Sequence, residues 1–324
     1  MTGSAPRAVV FTGPGNVEVQ RQVVDPAPGE LTVTAHLCGI SHGTEMLFFN
    51  GPFPAGQEIE ALDAISTAGY PITYGYMTVG TTGAGRRVFA FYPHQSVFTI
   101  PERDLIGLPD ELSDDDAVFF PSVETALQIV HDAEPRLGET VLVLGLGVIG
   151  SLVSLLLARI DVSVVVADPI EARRARLANL GFTTIDPMIP TAAHNVIALT
   201  QGGPDIAINT SGSAAGLQLG VNALRPEGTV VEASWFGSKG TELQLGAAFH
   251  RRRLTIRASQ VSHLNPHMRP RWDRPRRTAT VLRLLGELSP SRFITHRFAL
   301  DDAPAAYRTI HEHPDQVLQV VLEV

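Results

Sequence analysis

Three glycines at fixed spacing, Gly145, Gly147 and Gly150, constrain this chain more than any other feature. They lie inside TVLVLGLGVIGSLVSLLLARIDVSVVVAD, residues 140–168. Residues 141–144 are a short run of valine and leucine that predicts a strand. Gly145 permits a tight turn, Gly147 lets the backbone approach a pyrophosphate, and Gly150 lets a helix pack close to the strand. The amides of Val148, Ile149 and Gly150 open that helix unpaired, at the end of its dipole that favours phosphate. Ser163–Ala167 predicts a second strand, apolar along its length because both faces would be buried. Asp168 ends it, where an acid grips the ribose hydroxyls of a dinucleotide. Residues 141–158 carry no charge and are long enough to suggest a membrane span. The glycine spacing and the flanking strands argue for a βαβ unit instead, with a plain βαβ unit that binds nothing as the alternative.

The rest of the chain divides around this motif. Strand signals at residues 8–11, 17–21, 31–37, 87–91 and 96–100 alternate with Gly and Pro, and no long amphipathic helix precedes Asp114. After Pro121 the texture changes to a helix over 122–132, followed by strands alternating with helices. The strands are 141–144, Ser163–Ala167, Ile206–Asn209 and 229–233, which predicts a parallel sheet covered on both faces. Thr210, Ser211 and Gly212 follow the third of these and are expected to face a nicotinamide. A helix over 276–288 and a strand over 317–322 end the chain. A β-rich domain therefore comes first and the dinucleotide domain second.

Bulk properties narrow the class. A net charge of −8 argues against general nucleic-acid binding, and no secretory signal opens the chain. Cys38 is the only cysteine, so no intrachain disulfide and no cysteine-rich zinc site can form. A cytoplasmic protein without membrane contact is expected. Lys239 is the only lysine, which removes Schiff-base and Tyr–Lys mechanisms elsewhere. Nine arginines between His250 and Arg277 face only Asp273. They read as a solvated face or subunit contact, with steering of an anionic substrate as the alternative.

Several segments in order resemble the medium-chain dehydrogenase/reductase superfamily, the alcohol dehydrogenase-like proteins. They are CGISHGTE (38–45), PITYGYMTVG (71–80), GRRVFAF (85–91), the glycine turn, and FITHRFALDDAPAAY (293–307). YGY, PHQ at 93–95 and ETAL at 124–127 resemble a bacterial branch that includes bacteriochlorophyllide-type hydroxyethyl dehydrogenases. The resemblance implies an α/β protein. A GroES-like catalytic domain would span 1–121, a Rossmann doubly wound domain 122–286, and a return to the catalytic domain 287–324. It also implies a homodimer and hydride exchange between NAD(P) and a small organic alcohol or carbonyl.

The resemblance also implies a catalytic zinc, held by a Cys after C/T-G-I, a His in G-H-E, and a distant Cys or Glu. Ser41 stands at the Cys position, and Tyr76 and Met77 stand at His-Glu. A hydroxyl and a thioether are poor zinc ligands, and Glu45, His42, His94 and Glu124 match no ligand spacing. No zinc is expected. Ser41, Thr44, Glu45, Tyr76, Tyr92 and His94 become the catalytic candidates, with capping and packing as their plain alternative. Phe91 and Tyr92 fall where the family lines its substrate pocket, and His42 where a basic residue meets the pyrophosphate. Asp168 and Pro169 favour NAD, whereas Arg173 and Arg174 could reach the 2′-phosphate of NADP. Reduction of a C=C or C=N bond is a second enzymatic reading. A dinucleotide-binding redox sensor without turnover is the reading from another class.

Overall fold

The computed structural model describes residues 5–51, 69–236 and 240–324, so Lys239 lies outside it. The chain forms two compact units, residues 1–121 with 279–324, and residues 122–278. The crossing back falls at 278/279, inside a helix, and not at the expected 286/287. Helical periodicity runs straight through that point, so the sequence carries no break to mark it.

The first unit opens with β1 (Arg7–Gly13), β2 (Asn16–Arg21), β3 (Glu30–Ile40), α1 (Glu45–Asn50), β4 (Ile72–Thr73), β5 (Thr78–Thr82), β6 (Arg87–Ala90), β7 (Val97–Pro101) and β8 (Ile106–Gly107). Helix α2 (Asp114–Ala117) follows, and α3 (Phe120–Ala133) begins at the boundary and belongs to the second unit from Ser122 onward. β2, β1 and β4 make one small antiparallel sheet. The larger sheet takes β3 at its centre, paired with β5, β7 and the last strand of the chain. Along β3, Val33, Ala35 and Leu37 point into the core while Thr32, Thr34 and His36 face water. From Leu37 to Ile40 every residue is buried. The strand thus runs from a half-solvated face into the interior, and Ser41 leaves from its buried end.

The second unit contains β9 (Thr140–Leu144), α4 (Val148–Leu157), β10 (Ser163–Ala167), α5 (Glu171–Ala178), β11 (Thr183–Ile185), α6 (Ala192–Leu199), β12 (Ile206–Asn209), α7 (Ala214–Ala223), β13 (Thr229–Glu232), α8 (Ala248–Arg251) and β14 (Thr255–Ala258). The sheet order is β11-β10-β9-β12-β13-β14, all parallel, which is the doubly wound Rossmann order. The apolar run at 141–158 is a strand, a turn and the ten-residue α4. Among the described residues no helix is long and apolar enough to cross a membrane. β14 was not expected, because Thr255 and Arg257 hid it within the arginine-rich stretch. α9 (Arg274–Leu288), β15 (Ile294–Ala299), α10 (Ala303–Glu312) and β16 (Gln319–Glu323) complete the chain, and β16 returns to pair with β3.

Much of the arginine-rich stretch is committed to structure. Arg252 donates to the carbonyls of Asn222 and Leu224, and Arg257 to that of Asp132. Arg277 is buried, pairs with Glu124 at 2.9 Å and donates to the Val261 carbonyl at 2.8 Å. Removing one partner of a buried pair strands the other charge. Arg277→Leu should therefore lower unfolding stability by roughly 3 kcal/mol in urea titrations. Arg253→Leu, which breaks an exposed pair with Glu227, should change it by no more than about 0.5 kcal/mol.

Candidate active site

Sterics shape the glycine turn. At Gly145 φ is +89°, and a Cβ would lie 2.7 Å from Ser211 Cα. At Gly150 a Cβ would lie 1.8 Å from the Gly145 carbonyl oxygen and 2.6 Å from Thr210 Oγ1. At Gly147 a Cβ would meet nothing within 4 Å. Open space therefore adjoins the start of α4, where Val148, Ile149 and Gly150 have amides without intrahelical partners. Gly147 caps the helix with no side-chain bond. This glycine cradle fits a dinucleotide pyrophosphate.

Asp168 is buried and serves the turn directly. Its Oδ2 accepts the Leu146 amide at 2.7 Å, and its Oδ1 accepts the Ile170 amide at 2.8 Å. Each carboxylate oxygen keeps a second lone pair for a hydroxyl donor. Arg173 Nη1 lies 3.8 Å from Oδ2, whereas Arg174 donates to the carbonyls of Asp168 and Pro169. Thr210 donates to the carbonyls of Leu144 and Gly145, so its hydroxyl closes the turn. Ser211 donates to Asn209 Oδ1 at 2.6 Å, and the Gly212 amide donates to Ser234 Oγ at 2.9 Å. Sequence reading missed Asn209 and Glu232, which meet at 2.7 Å beneath these residues. Burial pushes the Glu232 carboxyl up, against the lowering effect of the bonds from Asn209 and Ser234. The signal available was a polar residue at the C-terminal end of each of two buried strands.

In the first unit the turn after β3 brings Ser41 to Tyr76. Tyr76 OH donates to Ser41 Oγ at 2.6 Å, and the Thr44 amide donates to the same oxygen at 3.4 Å. Burial holds the Tyr76 phenol above its usual range; bonding to Ser41 and Thr44 opposes this, and the charge of Glu45 adds to it. Thr44 caps α1 by position, with no side-chain capping bond. His42 is half-buried beside Ser41.

Glu45 and His94 meet, but away from solvent: both are 0% exposed. His94 Nε2 lies 2.9 Å from Glu45 Oε2, and Glu45 Oε1 accepts the Ser41 amide at 2.8 Å. Tyr307, which the sequence reading missed, donates to Glu45 Oε2 from α10. The signal for it was one tyrosine on an amphipathic helix, indistinguishable from packing. Glu45 therefore does not satisfy the amides of its own helix, and neither it nor His94 offers surface to a substrate. Tyr92 is half-buried: its ring stacks on Phe98 at 4.1 Å and packs against the core that holds Val33 and Val88. Phe91 is 46% exposed, edge-on to Phe89.

The donor set does not fit a catalytic zinc. The residues at the metal-ligand positions, Ser41 and Tyr76, bond to each other. Met77 is buried, and its side chain lies close against Gly39. Glu124 is held by Arg277. Among the described residues no three His, Cys, Asp or Glu side chains form a group able to hold a metal.

Residues 148–274 match the model of the zinc-binding dehydrogenase family. The chain is 31% identical over 239 residues to the uncharacterized zinc-type alcohol dehydrogenase-like protein YphC of Escherichia coli K12. That match covers 71% of this chain and 64% of YphC. D-guloside 3-dehydrogenase from the same organism is 31% identical over 221 residues, 66% of this chain and 63% of that enzyme. Both matches span slightly less than two thirds of those relatives. The crystal structure of 2R,3R-butanediol dehydrogenase from Bacillus subtilis superposes with a TM-score of 0.82 at 18% identity, covering 99% of this chain and 100% of that one.

Residues 148–274 thus match the zinc-binding dehydrogenase family, and the whole chain has the fold of alcohol dehydrogenases of known structure. A shorter match reaches 2-desacetyl-2-hydroxyethyl bacteriochlorophyllide A dehydrogenase of Cereibacter sphaeroides. It is 35% identical over 95 residues, 28% of this chain and 26% of that enzyme. The matched family and the YphC relative carry zinc in their names, whereas this chain has Ser41, Tyr76 and Met77 at the positions that the resemblance gives to metal ligands.

The buried pair has a consequence for stability. Burial alone would lower the His94 pKa, but the Glu45 charge and bonding to Cys38 and Glu45 raise it to about 10. A folded value above the unfolded one favours the charged, folded form. The stabilisation is complete below the ordinary value of 6.5 and is lost as pH rises through about 10. The stability difference between the natural chain and His94→Gln should therefore be constant below about pH 6.5 and shrink toward pH 10, as read by urea unfolding across pH.

Proposed function

We propose that this protein is a zinc-independent, NAD-dependent oxidoreductase acting on a small organic alcohol or carbonyl. The observation that carries the reading is the direct hydrogen bond between Tyr76 and Ser41 where a metal would otherwise act. A nicotinamide cofactor held by the glycine turn of Gly145, Gly147 and Gly150 would supply or accept the hydride. The chain's own residues handle the oxygen and its proton.

Ser41 Oγ accepts from both Tyr76 OH and the Thr44 amide, so its two lone pairs are engaged. Its own hydrogen is left to donate to a substrate oxygen. Tyr76 behind it keeps its proton, since burial and the Glu45 charge disfavour the phenolate. The pair thus works as a neutral donor that stabilises negative charge growing on a carbonyl oxygen. The half-buried Thr44 flanks the same hydroxyls. Such donors placed where charge develops are a large source of rate enhancement. The name of the D-guloside 3-dehydrogenase relative supports a secondary hydroxyl as the reacting group. A homodimer is proposed with this reading.

NAD is proposed over NADP because Asp168 stands at the end of β10, where its spare lone pairs can accept ribose hydroxyls. Asp168→Gly should weaken both cofactors, since the Leu146 amide loses its partner, and should weaken NADH more than NADPH in fluorescence titrations. An equal loss would remove the NAD preference.

Turnover on a panel of alcohols, ketones, enones and imines tests the activity. Ser41→Ala and Tyr76→Phe should each lower kcat about 10²-fold or more, with NADH affinity unchanged. Metal analysis of active protein should find no stoichiometric zinc. One zinc per chain together with chelator-sensitive turnover would overturn the metal-free reading. Tight NADH binding without turnover on the whole panel would favour a redox sensor.

A further inference from the structure

Glu45, His94 and Tyr307 form a cluster with no exposed surface, drawn from α1, the segment before β7, and α10. Burying a carboxylate and an imidazolium among Phe11, Phe48 and Tyr74 is costly, and an apolar trio of similar volume is often at least as stable. The cluster therefore needs a reason beyond packing. Two physical links join it to the Ser41–Tyr76 pair.

The first link is the Ser41 amide, held by Glu45 Oε1 at 2.8 Å. It fixes the backbone from which the Ser41 hydroxyl projects. The second is Gly75, whose φ is +140°. A Cβ there would lie 2.7 to 2.8 Å from Cε1, Nδ1 and Nε2 of His94. The Gly75 backbone thus lies flat against the imidazole ring. Gly75 stands between Tyr74, whose ring rests on Phe48 at 4.4 Å, and Tyr76. The His94 ring therefore fixes the backbone from which Tyr76 projects. Tyr307 clamps the carboxylate from the far side, and its own ring is packed edge-on to Phe11 at 5.1 Å and stacked on Phe49 at 6.0 Å.

We infer that the Glu45–His94 ion pair, clamped by Tyr307, is the device that positions the Ser41 and Tyr76 hydroxyls. The inference rests on the reading of those hydroxyls as the oxygen-binding pair. Glu45, His94 and Tyr307 are positioning residues: they act through the Ser41 amide and the Gly75 backbone and touch no substrate. One half of the ion pair sets one hydroxyl, and the other half sets its partner. The distance between the two hydroxyls is then a property of the buried pair.

The test is a double-mutant cycle in the full chain with Glu45→Gln, His94→Gln and both together, alongside Tyr307→Phe. All measurements are made where circular dichroism shows each variant folded. Two readouts are taken: kcat on the substrate found in the panel, and the ¹³Cζ-tyrosine NMR resonance of Tyr76, assigned with Tyr76→Phe. Each single change in the ion pair should lower kcat by about 10- to 100-fold, as small misplacements do, with NADH affinity unchanged. Each should also move the Tyr76 resonance. The double variant restores a neutral amide pair, so its kcat should exceed the product of the two single effects. Folded single variants that keep kcat and the Tyr76 resonance, and lose only thermal stability, would overturn the inference. So would strictly additive effects. If Ser41→Ala and Tyr76→Phe retain full kcat, the reading of the hydroxyl pair fails, and the resonance still reports on positioning by itself.

Discussion

One carboxylate, Glu45, ties together three parts of the first unit that lie far apart in the chain. It reaches Ser41 four residues away, His94 49 residues away and Tyr307 262 residues away. A carboxylate offers about four acceptor positions, and here three donors meet it at once. In a dry interior an unmatched charge is costly, so these partners constrain one another tightly. The geometry of the hydroxyl pair is downstream of that constraint.

The second unit is organised by a different force. Around the glycine turn the decisive quantity is excluded volume: a single methyl at Gly150 would collide with the Gly145 carbonyl oxygen at 1.8 Å. Asp168 then adds a polar tie between the turn and the segment that follows β10. Close packing sets the phosphate cradle and buried electrostatics sets the hydroxyl pair.

This difference explains what could be read from the residues alone. Steric requirements are local, so the spacing of Gly145, Gly147 and Gly150 announced the strand, the turn and the helix directly. The parallel sheet and four of its six strands followed from the alternation of elements, whereas the three-residue β11 was not seen and β14 was hidden because Thr255 and Arg257 broke the apolar pattern. The replacement of expected metal ligands by Ser41 and Tyr76 was visible as residue identity, but their mutual hydrogen bond was not. Glu45 and His94 were singled out as catalytic candidates from residue identity alone. Their burial depends on α10, more than two hundred residues away, and no local pattern encodes that. The stacking of Tyr92 on Phe98 is likewise a tertiary choice that no local pattern encodes.

The return of the chain also orders events in time. Residues 122–278 form their unit from one continuous stretch, whereas the first unit needs residues 279–324 as well. β16 must pair with β3, and Tyr307 must reach Glu45, before the core around Phe11 and Phe48 is closed. A ribosome makes the whole of the second unit before either arrives. Domains tend to fold as units while synthesis proceeds. The nucleotide-binding half can therefore be folded while the other half is still an open sheet, with the carboxylate of Glu45 waiting for its last donor. For this chain, completion of the hydroxyl pair must wait until the whole second unit has been made.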